Sequence, residues 1–153
     1  MASMNQRDME TMLDGILAEG ERYSCMLWSI FAANSKSRII LAELSDLPGS
    51  KPNMMPLAHT YAYVGLTARH LNLVVVNSYR TSQIMDRFSI PLSAITRVEA
   101  RNGLIIGKVL IVEMGDARIQ FELSSFAAGN RDEQQKAARG KLINRLVGLN
   151  TRR

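Results

Sequence analysis

"AITRVEARNGLIIGKVLIVEMGDARIQFELS", Ala94 to Ser124, decides the class of fold. Near its end, apolar Ile119, Phe121 and Leu123 alternate with Arg118, Gln120 and Glu122, the period of two of a strand with one wet face. Asn102-Gly103 predicts a tight hairpin, because both residue types tolerate the positive φ of a type I′ turn. Gly115-Asp116 predicts a second tight turn, and Gly107 a bulge within a long strand. Connections this short imply antiparallel pairing.

Working towards the N-terminus, "QIMDRFSIP", "HLNLVVVNSY" and "HTYAYVGLT" continue the run of strands, and "RYSCMLWSIF" reads as the first. In the second of these, Leu71, Leu73 and Val75 are expected to face the core. Val74 and Val76 then lie on the opposite face, which the N-terminal helix or a second copy of the chain must cover. They are the candidate apolar interface. Between the first strand and His59, "SRIILAEL" (Ser37 to Leu44) reads either as an extra strand or as part of an elaborated loop. "SDLPGSKPNMMP" follows, with three of the four prolines (Pro48, Pro52, Pro56), which excludes a helix or a central strand.

Helical periodicity brackets the strands. Met9, Met12, Leu13, Ile16 and Leu17 form an apolar stripe, with Gly20 as the expected stop. Ala138, Leu142, Ile143, Leu146 and Leu149 form a second stripe, with Asn130 as its expected N-cap. The organisation expected is an N-terminal helical extension over 1–20 and one domain over 21–150.

Composition narrows the function. A length of 153 residues suits one core, and 46% apolar with 22% charged residues is ordinary for a soluble globule. The net charge of +5 favours anionic partners, but the basic residues are spread along the chain, so no nucleic acid is expected. Cys25 is the single cysteine, which excludes an internal disulfide and a CxxC site. Acidic Asp8, Glu10, Asp14 and Glu19 argue against a signal peptide, and no apolar run reaches the about 20 residues of a membrane span. A cytoplasmic location is the expectation.

Three pieces carry a family resemblance. "VGLTARHL" (Val64 to Leu71) resembles the "lvlT…RL" hairpin of bacterial pleckstrin-homology-like (PH-like) domains, and "IPLSAITRVEA" their strand entry. "KVLIVEMGDARIQFEL" is similar to their closing hairpin before the helix. The resemblance spans roughly Tyr61 to Leu149. It departs at His70, where the family pattern has Arg; Arg69, one place earlier, points to the other face of the strand. It implies a mainly β, PH-like barrel of two roughly orthogonal antiparallel sheets, capped by a C-terminal helix. It also implies an adaptor or assembly module rather than an enzyme.

The residues agree with that implication. Cys25, in an apolar strand, reads as an inert thiol. His59 and His70 alone cannot make a usual structural zinc site, and Asp46, Asp86, Glu99 and Asp116 show no local pairing that would tune an acid against a base. Gly103, Gly107 and Gly115 are isolated, and no Gly-Lys-Ser/Thr sequence of a phosphate loop follows them, so no cofactor is expected. The PH-like order would gather Lys36, Arg38, Lys51, Arg80 and Arg118 at the end of the barrel away from the helix. That is the candidate anion- or partner-binding site. A non-catalytic module for protein interaction or self-assembly, possible as a homo-oligomer, is the leading expectation. A module binding anionic lipid or a phospholigand is the alternative.

Overall fold

A computed structural model describes residues 6–47, 57–77, 79–102, 107–123 and 132–152. The elements run α1 (Gln6–Asp14), β1 (Cys25–Ala33), α2 (Ser35–Leu44), β2 (Leu57–Leu66), β3 (His70–Val76) and β4 (Ile84–Pro91). They continue with β5 (Arg97–Asn102), β6 (Lys108–Met114), β7 (Ala117–Leu123) and α3 (Asp132–Gly148). The strands form one antiparallel sheet of seven, in the order β4-β3-β2-β1-β7-β6-β5. The chain is mainly β with flanking helices, as expected. No described helix is long and apolar enough to cross a membrane.

β1 and β7 bury every second residue, which puts Leu27, Phe31, Ile119, Phe121 and Leu123 into the main core with Leu71, Leu73 and Val75. α3 lays Leu142 and Leu146 onto the same core, where both are fully buried. On the other face of the sheet, α1 brings Met9 and Leu13, and the turn after it Ile16, against Tyr63, Val74 and Val76. The N-terminal helix therefore supplies the cover. Val74 and Val76 are fully buried beneath it and offer no surface to a second copy, which corrects their reading as an interface.

The segment Ser35–Leu44 is a helix, neither an extra strand nor a loop. Asn34 caps it, its side chain accepting from the Ser37 N–H at 2.8 Å. Ser37, Arg38, Leu41 and Ala42 are buried, a helical spacing, although the β-branched pair Ile39-Ile40 suggests a strand. Gly20 does not stop α1, which ends at Asp14; Gly20 sits in a later turn at φ +82°.

Gly115-Asp116 is the tight turn expected, with Met114 paired to Ala117 and Gly115 at φ +62°. The other hairpin differs. Asn102 pairs with Lys108, so it ends β5 instead of sitting inside a two-residue turn, and five residues lie between. Gly107, at φ +106°, precedes β6 and is not a bulge within a strand. Gly103 itself, the proline-rich stretch from Pro48 to Pro56, the His59 side chain and Asn130 lie outside the described residues.

α3 and the 3-10 turn that follows it, Leu149–Arg152, close strand backbone by the same device. The Gln135 side chain donates to the Trp28 carbonyl at 2.8 Å and accepts from the Trp28 N–H at 3.3 Å. The Asn150 side chain donates to the Val98 carbonyl at 2.7 Å and accepts from the Val98 N–H at 3.0 Å. Each amide presents a donor and an acceptor side by side, as a neighbouring strand would. Gln135 does so beside β1, which pairs with β7 only from Ile30 onwards.

Candidate functional site

Four of the five basic residues expected at one end lie among the described residues, and one of these is withdrawn into the fold. Arg38 turns inward. Its side chain is 6% exposed, and Nη2 and Nε donate to Asp86 Oδ2 of β4 at 2.9 and 3.1 Å. A guanidinium held this way fastens α2 to β4 and is not offered to a ligand. Lys36 lies 4.0 Å from Asp116, and the Arg118 backbone N–H donates to Ser37 Oγ at 2.9 Å, so these two flank the first turn of α2. Arg80 stands on the separate connection between β3 and β4. Lys51 lies outside the described residues.

Titratable groups meet elsewhere, at the start of β3. His70 Nδ1 lies 2.9 Å from Glu21 Oε1, and Nε2 lies 2.7 Å from Asp46 Oδ2. Thr67 completes the corner: its Oγ1 donates to Glu21 at 3.3 Å and accepts from the His70 N–H at 2.8 Å. The three ionisable residues come from the lead-in to β1, the segment after α2 and β3. No local spacing in the sequence announces them. Burial alone would push the imidazole pKa down, but hydrogen bonds and charge from Asp46 and Glu21 outweigh it and hold it above the ordinary 6.5. Only the imidazolium donates to both carboxylates at once.

This corner is a latch that ties the lead-in to β1, the segment after α2 and β3 together. The two ring nitrogens point apart, so the carboxylates lie on opposite sides of the ring and cannot converge on one ion. Among the described residues, no group of three His, Cys, Asp or Glu side chains is arranged to hold a metal. Cys25 is buried, and burial pushes its thiol up to about 11.

A second polar chain runs beneath α1. Ser89 Oγ donates to Asn72 Oδ1 at 2.6 Å, Asn72 Nδ2 donates to the Tyr23 hydroxyl at 3.0 Å, and that hydroxyl donates to the Leu13 carbonyl. The Tyr23 ring lies on Gly65, where a Cβ would collide with it. Burial pushes the phenol up to about 12, so it stays a donor. The network pins the N-terminal segment to β3 and β4.

Three large apolar side chains among the described residues are exposed. Tyr79 is 82% exposed, Ile84 43% and Met85 46%, at the corner where β3 turns into β4. Hydrogen bonds cross the corner: Asn77 Oδ1 accepts from the N–H groups of Tyr79 and Arg80 at 2.8 and 3.1 Å, and the Asn77 N–H donates to the Gln83 carbonyl at 3.0 Å. The expectation of loop cations passed over these three residues, since exposure of an apolar side chain is not written in its local pattern.

No family model matches the chain, and no curated protein matches it. Among solved structures, the hSac2 domain from human phosphoinositide phosphatase Sac2 superposes with a TM-score of 0.48 at 8% identity. The match covers 94% of this chain and 82% of that one. A likeness this loose carries no argument about function.

Proposed function

We propose that this chain is a non-catalytic PH-like module, a barrel of two roughly orthogonal antiparallel sheets capped by α3, that binds a protein partner or a second copy of itself. The observation that carries the reading is the corner of Tyr79, Ile84 and Met85. Exposed aromatic and large apolar side chains near one strand connection are the kind of anchor that buries well against a partner. The ionisable groups support the same reading. Arg38, His70, Glu21 and Asp86 are engaged within the fold, and the Cys25 thiol is buried. The anionic-lipid alternative is weaker, because Arg38, its central donor, faces Asp86.

Light scattering at low and high protein concentration, together with affinity capture from the native host, tests this. The comparison is with a Tyr79→Ser/Ile84→Thr/Met85→Gln variant. Self-association or a specific captured protein should survive high salt and be lost in the variant, because apolar contact is little screened. If instead the protein bound anionic vesicles tightly through Arg80, with no partner dependent on the corner, the interaction reading would fall.

A further inference from the structure

We propose that His70 is a pH-sensitive latch: when its ring gives up one proton, Asp46 is freed and residues 45–47 lift from the outer edge of β4. This goes beyond the interaction-module reading and does not depend on it. β4 is the last strand of the sheet on its side, and Ser45 and Asp46 lie along its outer edge. The Asp46 N–H donates to the Ser89 carbonyl at 2.9 Å, and the Ser89 N–H donates to Ser45 Oγ at 2.9 Å. Leu47 follows, packed against the apolar cluster beneath α1. This short strap hinges where α2 ends, at Ser45, whose N–H donates to the Leu41 carbonyl. Its far side is held by the Asp46 carboxylate, 2.7 Å from His70 Nε2.

The settings of the two carboxylates decide which one is released. Glu21 lies 2.9 Å from Nδ1, its side chain is 11% exposed, and Thr67 Oγ1 also donates to it. The Asp46 side chain is 59% exposed. A neutral ring has one N–H, and it stays on Nδ1, because Glu21 is the carboxylate that water cannot readily serve. Nε2 then turns a lone pair toward Asp46. Two acceptors at that distance repel, and Asp46 has solvent to turn to.

The charges that act on the ring are these two carboxylates. Arg22 and Arg69, next in the chain to Glu21 and His70, are exposed, and β4 opposes His70 with uncharged Pro91. Burial lowers the imidazole pKa, but hydrogen bonds and charge from Asp46 and Glu21 outweigh it and raise the pKa above 6.5. The strap is therefore held fully below about pH 6.5, and its hold is lost as pH rises through the folded pKa.

Hydrogen exchange of the full chain, followed by NMR from about pH 6 to about pH 8.5, reads the strap directly. After correction for the base catalysis common to all amides, protection at Asp46 and Ser89 should fall at least about threefold, the scale of a partly exposed ion pair. The midpoint should coincide with the titration of the His70 ring itself. Exchange at these two amides should be insensitive to low urea, the mark of a local opening. Phe88 and Ile90, whose N–H groups point toward β3 by the alternation of an antiparallel pair, should show the urea dependence of global unfolding. His70→Gln removes the titration and should flatten the profile. Asp46→Asn should keep the strap closed across the range, because its amide accepts from the charged ring and donates to the neutral one. It alters only a half-exposed carboxylate and leaves Glu21 in place. A pH dependence that persists in either variant overturns the proposal. So does exchange at Asp46 and Ser89 that shares the urea dependence of Phe88. Loss of protection at Ser24, whose N–H donates to the Leu66 carbonyl, with Asp46 unchanged, would place the release at Glu21 and overturn it as well.

Discussion

β4 and β5 are the two outer strands of the sheet, and they meet their surroundings differently. Along β4, the Ser89 N–H donates to Ser45 Oγ at 2.9 Å, the Asp46 N–H donates to the Ser89 carbonyl at 2.9 Å, and Arg38 pairs with Asp86. The segment after α2 thus blunts β4 with its own backbone and a charge pair. Along β5, the described backbone hydrogen bonds outside the sheet go to a single side chain, Asn150, and Ala100 beyond it is exposed. Outer strands of one sheet are thus protected by different means, a backbone segment and a charge pair on one side and a side-chain amide on the other.

Arg38→Ala is expected to break the β4 side hardest. It strands the Asp86 carboxylate and removes a buried side chain, at a cost of about 3 kcal/mol, the lower end for broken buried pairs. The lower end applies because Asp86 keeps a side-chain exposure of 23%. Urea unfolding measures it, and Arg38→Met/Asp86→Leu should recover most of the loss. A single variant as stable as the parent would mean the pair contributes nothing.

On the β5 side the expected effect is smaller. Asn150→Ala leaves the N–H and C=O of Val98 without their partner, which costs about 1–2 kcal/mol where water reaches only one side. The Val98 amide should then exchange with solvent faster than its neighbours in β5. Gln135→Ala should do the same to Trp28. Unchanged exchange at both positions would show that water substitutes for the amides.

The smallest effect expected is a pH dependence from the His70 latch, beside the closed edge. With its folded pKa above the unfolded value, His70 contributes stability that is fully present below about pH 6.5 and lost as pH rises through the folded pKa. Unfolding free energy should therefore fall between pH 6 and pH 8.5 in the parent and less in His70→Gln. An equal slope in the two proteins would remove His70 from the account.

The strands were legible from local alternation because burial on one face leaves a period of two in β1 and β7. The terminal helices were legible for the matching reason: each buries one stripe. α2 was misread, since a ten-residue element that buries Ser37 and Arg38 hides polar residues where an apolar stripe is sought. Its capping residue, Asn34, was the available signal. Of the candidate site, Arg38 was singled out as a ligand group, whereas its partner lies 48 residues away in sequence.

The sequence by itself determined the alternation of β7, the turn at Gly115-Asp116, the apolar stripes of α1 and α3, and the lack of a second cysteine. Each is a matter of neighbours along the chain. The tertiary structure decided which face α1 covers, how Arg38 is neutralised, that Glu21, His70 and Asp46 meet, and that Asn150 meets Val98. Those depend on groups brought together from distant parts of the chain, where burial and pairing energies act across space and leave no periodic trace in the order of residues.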